Sequence, residues 1–134
     1  TTNTSINDAT TTIFPAFDTE LWDTDTMHST TVNPGVLTCK TEGTYLVGAN
    51  VYFDASATGY RFAGIQQNSL GAFVAVEYVA NAGAAVGTAL NLSAVVQMAV
   101  GDFVDLRVRQ TSGGPLNVLA QLDYSPQFWA QKFS

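Results

Sequence analysis

The chain has 134 residues, 46% of them hydrophobic and only 12% charged, with a formal net charge of −6. Its five basic residues, Lys40, Arg61, Arg107, Arg109 and Lys132, are scattered along it. The dense basic footprint that displaces counterions from nucleic acid is therefore missing, and so is one for an anionic membrane surface. The single cysteine, Cys39, excludes an internal disulfide and a cysteine-type structural zinc site, and reads as a small buried hydrophobe.

A charged fraction about half that of average soluble domains leaves Thr, Ser, Asn, Gln and Ala to cover the surface, or surface to be buried between subunits. The composition leans towards an oligomer. The length fits one domain. The uncharged run 79–100 is no membrane span, because Asn81, Gly83, Gly87, Thr88, Asn91, Ser93 and Gln97 interrupt it, and a spanning helix is predominantly apolar over about 20 residues.

Residues 1–12 open with a polar stretch that has no period; it predicts a flexible N-terminal arm, with a single domain over 13–134. Ile13, Phe14 and Phe17 begin a β-like pattern. Residues 18–35 are rich in Asp, Thr, Asn, Pro and Gly and read as a long structured connection. From Gly43 the period is two: Tyr45, Val47, Ala49, Val51 and Phe53 share an apolar face. Strands are expected next over 60–67 and 73–79, separated by turns at 54–59 and 68–71. Residues 87–98 fit a helix or a strand. The strand sorts polarity better, with Thr88, Leu90, Leu92, Ala94, Val96 and Met98 on one face, and Gly83 and Gly87 weaken the helix. Phe103 to Arg109 alternates cleanly, and further strands are expected over 116–122 and 127–133. Roughly eight strands with turn signals every ~8–12 residues describe an all-β sandwich or barrel.

Three motifs point further. They are Phe17-Asp-Thr-Glu-Leu-Trp-Asp-Thr-Asp-Thr-Met-His28 followed by Asn33-Pro34, Gly43-Thr-Tyr45-Leu-Val, and Thr58-Gly-Tyr-Arg61 leading to Asn68. With the ending Tyr124-Ser-Pro-Gln-Phe128, the chain over about 13–134 resembles the trimeric jelly-roll domains of the complement component 1q globular head and tumour necrosis factor type. It is most like the versions found in bacteriophage structural proteins. The cysteines and calcium ligands common in animal secreted members do not map onto it. The resemblance implies a jelly-roll β-sandwich of two antiparallel sheets with ten strands, forming a homotrimer. It implies that the strands holding Tyr45–Ala49 and Val104–Val108 lie near the middle of the sheets, and that small residues such as Gly48, Ala49 and Ala63 allow close approach of layers. Tyr52, Tyr60, Phe128 and Trp129 would fill core and inter-subunit contacts.

Candidate chemistry is sparse. His28 is the only histidine. No Gly-x-Ser-x-Gly elbow accompanies it, so its expected role is to hydrogen-bond within the long connection and order it. Asp18, Glu20, Asp23 and Asp25 form the only acidic cluster. Asp18, Asp23 and Asp25 are candidate calcium ligands, because calcium takes several loop oxygens. Turn capping by the same residues is the competing reading. Glu20, Glu42 and Glu77 sit on unlike elements and form no evident glycosidase pair. Trp22, Trp129, Tyr52, Tyr60 and Tyr78 can stack on sugar rings or fill core and interfaces. Asp105, Arg107 and Arg109 are expected on a solvated strand face, with a charge network as the alternative.

The expected function is therefore non-catalytic: a trimeric virion surface domain (head fibre, capsid decoration or tail fibre). Its partners would be its own copies, a capsid or fibre-shaft protein, and a host cell-surface glycan or protein. The alternative is a secreted or cell-surface module of the same fold that recognises glycan or protein through its loops.

Overall fold

The computed structural model describes residues 2–121 and 123–134. Ten strands follow in chain order: β1 (Thr4–Ile6), β2 (Thr12–Ile13), β3 (Val36–Thr38), β4 (Gly43–Phe53), β5 (Tyr60–Gln67), β6 (Phe73–Ala80), β7 (Thr88–Met98), β8 (Phe103–Gln110), β9 (Leu116–Val118) and β10 (Gln127–Lys132). They form two five-stranded sheets, and every pairing between the strands is antiparallel.

In the first sheet β4 is central. One edge pairs β7 along its whole length, from Gly43↔Met98 to Phe53↔Thr88. The other edge takes β10 over Tyr45–Asn50 and then β9 at Phe53, and β9 carries β1. In the second sheet β8 is central. One edge pairs β5, which carries β6; the other is shared by β2 at Val108 and Arg107 and by β3 at Asp105 to Phe103. The strands expected near the middle of the sheets are there.

The core lies between the sheets. Tyr45, Val47, Ala49, Val51 and Phe53 of β4 are buried against Ala63 and Ile65 of β5 and Val104, Leu106 and Val108 of β8. Side chains alternate across a strand, so period two in sequence becomes one apolar face per sheet. Each fully buried Val, Leu or Phe contributes about 1.5–3 kcal/mol. Residues 88–98 are a strand, as polarity sorting indicated: Thr88, Leu90, Val96 and Met98 are buried, while Ala89, Asn91, Ser93, Val95 and Gln97 are exposed. Cys39 is a buried free thiol.

Two expectations change. The N-terminal stretch is not a free arm. Ile6 is 2% exposed and enters the core, β1 pairs β9, and the Ala9 N–H donates to the Gln110 carbonyl at 2.8 Å. One apolar residue pins the segment while its polar neighbours dress the sheet edge. Strand β3 follows directly on the connection 18–35, where no element was expected; its three residues are too short to show a period. The strand expected over 116–122 stops at Val118, and its expected end, Leu122, is outside the described residues.

The turn into β5 depends on Gly59, whose φ is +72° and where a Cβ would lie 1.8 Å from the Thr111 carbonyl oxygen. Beside it Arg61, 0% exposed, donates Nη1 to the Thr58 and Tyr60 carbonyls and Nη2 to the Ser56 carbonyl. A guanidinium has five donors in a rigid fork, so one buried side chain gathers the connection 54–59. Burial pushes the Arg61 pKa down.

Candidate functional site

The outward face of the first sheet is unusual in its charge. Its strand residues include Leu46, Gly48, Asn50 and Tyr52 on β4, Ala89, Asn91, Ser93, Val95 and Gln97 on β7, and Gln127, Trp129 and Gln131 on β10. None is acidic or basic. Trp129 is 39% exposed and Val95 61% exposed. Trp129 sits opposite Gly48 in the β4–β10 register, with its ring lying where a Gly48 Cβ would be, 2.2–2.7 Å away. Tyr52 stacks on Tyr124 with ring centroids 4.4 Å apart and planes 15° apart. A shallow depression of about 380 Å³ is lined by Ala49, Asn50, Asn91, Leu92, Ser93, Gln127 and Trp129. A neighbouring one, of about 300 Å³, includes Tyr52, Tyr124 and Asp123, the carboxylate at the border of the face.

The outward face of the second sheet has the opposite character. Asp105, Arg107 and Arg109 of β8 lie opposite Gln66, Gly64 and Phe62 of β5. Asp105 is 0% exposed and bound by Arg107, Nε to Oδ1 at 2.9 Å and Nη2 to Oδ2 at 3.3 Å. This is a charge network and not the solvated face expected: Arg107 and the Ser69 hydroxyl (3.4 Å to Oδ2) close over the carboxylate. Hydrogen bonding to Asp105 holds the Arg107 pKa above its ordinary value. Alongside runs an aromatic row, in which Phe62 packs on Tyr78 (4.6 Å between centroids) and Phe73 (5.2 Å), and Tyr78 on Tyr60 (5.7 Å).

Of the four expected contact residues, Tyr52 and Trp129 lie on the uncharged face and Tyr60 on the arginine-bearing face. Phe128 packs against the core, its ring 5.9 Å from Phe17.

The acidic connection folds on itself. Asp23 accepts the Met27 N–H at 2.9 Å on Oδ1 and the His28 N–H at 3.0 Å on Oδ2. The His28 ring lies between Glu20 Oε1 (Nδ1, 3.0 Å) and the Pro34 carbonyl (Nε2, 2.8 Å), which ties the start of the connection to its end. Asp18 accepts the Thr19 hydroxyl at 3.2 Å. Among the described residues no group of three or more His, Cys, Asp or Glu side chains is placed to hold a metal ion. The expected calcium ligands Asp18, Asp23 and Asp25 form no such group, and both Asp23 oxygens accept from backbone donors.

Two further groups are displaced in pKa. Tyr45 is pushed up to about 12, first by burial and then by its contact with Cys39; its hydroxyl donates to the Thr41 carbonyl. Asp102 is held below the usual carboxylate range by the Ala99 N–H and the Asn68 side-chain amide.

Sequence reasoning noted Gly48 as a small residue but not that Trp129 covers it. A glycine inside an otherwise bulky strand was the available signal. The pairing of Arg109 with the aromatic row was also missed, because it needs the β5–β8 register.

The architecture defines a class: a jelly-roll sandwich of two five-stranded antiparallel sheets. No family model matches the chain, and no curated protein does. Solved structures do match, among them the globular domain of zebrafish complement 1qA protein. That match has a TM-score of 0.57 at 16% identity and covers 100% of this chain and 98% of the other. The chain therefore has a complement 1q globular-domain-like fold; identity this low shows the fold alone.

Proposed function

We propose that this chain is a homotrimeric, non-catalytic display domain whose uncharged sheet face packs against neighbouring copies. The observation that carries the reading is that face: no acidic or basic residue among its outward strand positions, a tryptophan laid over a glycine, and a stacked tyrosine pair at its border. Interface cores are depleted in charge and enriched in aromatics. Closed cyclic symmetry buries one such face per subunit without leaving an open end. The low charge of the whole chain agrees.

The place we propose for this trimer is a virion surface, as a head-fibre, decoration or tail-fibre domain. That placement rests on the resemblance of the sequence to the family's versions in bacteriophage structural proteins, and gene neighbourhood tests it. Adjacent capsid or tail genes support it; neighbours encoding secreted or cell-surface proteins favour the recognition module. Attachment to a host surface is compatible with both.

The assembly is tested by Val95→Glu. Val95 is 61% exposed in the single chain, so a lone domain accepts the charge with little cost. A trimer packed through this face does not, because an unpaired carboxylate must be desolvated. We expect loss of the trimer with an unchanged far-ultraviolet spectrum. A variant that assembles like wild type overturns this choice of face.

A further inference from the structure

We propose that the arginine-bearing face is a binding platform for acidic sugars, with Arg109 taking the carboxylate and Tyr78 stacking on the ring. The inference rests on the display reading above, since it assigns a ligand class to the face that packing through the first sheet leaves outward.

Arg109 has no carboxylate partner among the described residues; the only arginine ion pair there is Arg107 with Asp105. Its Nε donates to the Tyr60 hydroxyl at 3.1 Å, and its Nη1 lies 3.5 Å from the Thr11 hydroxyl. The head group is thus oriented, with Nη2 free of any protein acceptor among the described residues. Arg107 is already engaged and Arg61 is buried, so in a chain of net charge −6 Arg109 is the one arginine able to meet an external anion. Guanidinium–carboxylate pairs are charge-assisted and directional.

Tyr78 is 65% exposed, yet its ring is braced by Phe62 and Tyr60. It is a fixed aromatic surface, which costs little entropy to use. Phe62 is the shared cross-strand neighbour of both, opposite Tyr78 on β6 and Arg109 on β8. Strands lie about 4.8 Å apart, so Arg109 and Tyr78 flank a strip of roughly 10 Å. One acidic sugar or a disaccharide spans that width. Phenolic and threonine hydroxyls at its margin pair with sugar hydroxyls. The strip is a flat strand face, which suits stacking better than capture of an extended peptide at a sheet edge.

The test uses the full chain on an array carrying sialic- and uronic-acid glycans with their neutral counterparts, with polyglutamate as a peptide control. We expect acidic glycans to be preferred over neutral ones. Arg109→Gln and Tyr78→Ala should each weaken that binding at least tenfold while leaving solution mass and the folded far-ultraviolet spectrum unchanged. Failure to bind any acidic glycan overturns the proposal, as does equal binding by both variants. Polyglutamate bound through the same residues without glycan binding reassigns the face to an acidic protein partner. Solution mass is measured independently, so failure of the sugar site is distinguishable from failure of the trimer.

Discussion

Gly48 and Trp129 are cross-strand partners, and the indole occupies the space that any side chain at position 48 would need. The missing side chain at position 48 leaves room for the tryptophan ring to lie there. Gly48→Ala is expected to lift the ring and lower stability by about 1–3 kcal/mol, the usual cost of overpacking. Because Trp22 is 80% exposed and would contribute its own signal, Trp22→Phe is the background of choice. In it the Trp129 emission should move to longer wavelength on Gly48→Ala; an unmoved spectrum contradicts the packing.

Ile6 is expected to behave as a core residue despite its polar surroundings. Ile6→Ala should cost about 2–4 kcal/mol, measured by urea unfolding. A freely moving arm would give a change within about 0.5 kcal/mol, as exposed positions do.

Breaking the Asp105–Arg107 pair should be costly. Arg107→Ala leaves a fully buried carboxylate whose remaining side-chain partner among the described residues is the Ser69 hydroxyl, and stranding one member of a buried pair typically costs about 3–5 kcal/mol. Arg107 is partly solvated, its side chain 23% exposed, so a value near the lower end is expected. Adding Asp105→Asn should restore part of the loss, and a double-mutant cycle that shows simple additivity would count against the pair.

Tyr45 makes stability sensitive to alkali. Its phenol is raised to about 12 in the folded chain against about 10 unfolded. The stabilising contribution is therefore complete below about pH 10 and is lost as pH rises through about 12. Unfolding free energy should fall more steeply across pH 10–12 for wild type than for Tyr45→Phe. Parallel curves would show that the hydroxyl does not titrate in this way.

Strand β4 and the Val104–Val108 face of β8 were legible in the sequence because each alternates over five or more residues. Residues 88–98 were legible because polarity sorts better at period two than at 3.6. Strands β1 and β3 were not, since three residues carry no period and their pairing is decided by distant partners. The burial of Asp105 was hidden for a related reason: it depends on Arg107 and on the turn containing Ser69, 36 residues away. The acidic cluster was visible as composition, but Asp23 is taken up by local backbone donors and Glu20 by the His28 ring, which no spacing rule reveals. Tyr52 and Trp129 were readable as contact candidates. The emptiness of charge around them needs the β4–β7–β10 register to be seen.

The most direct test of the account is the solution mass of the wild-type chain by light scattering at micromolar concentration. The account predicts three times the 14.2 kDa chain mass, unchanged by a chelator because no metal site is assembled among the described residues. A single-chain mass across that range would contradict the trimer and leave the uncharged face as a surface for some other partner.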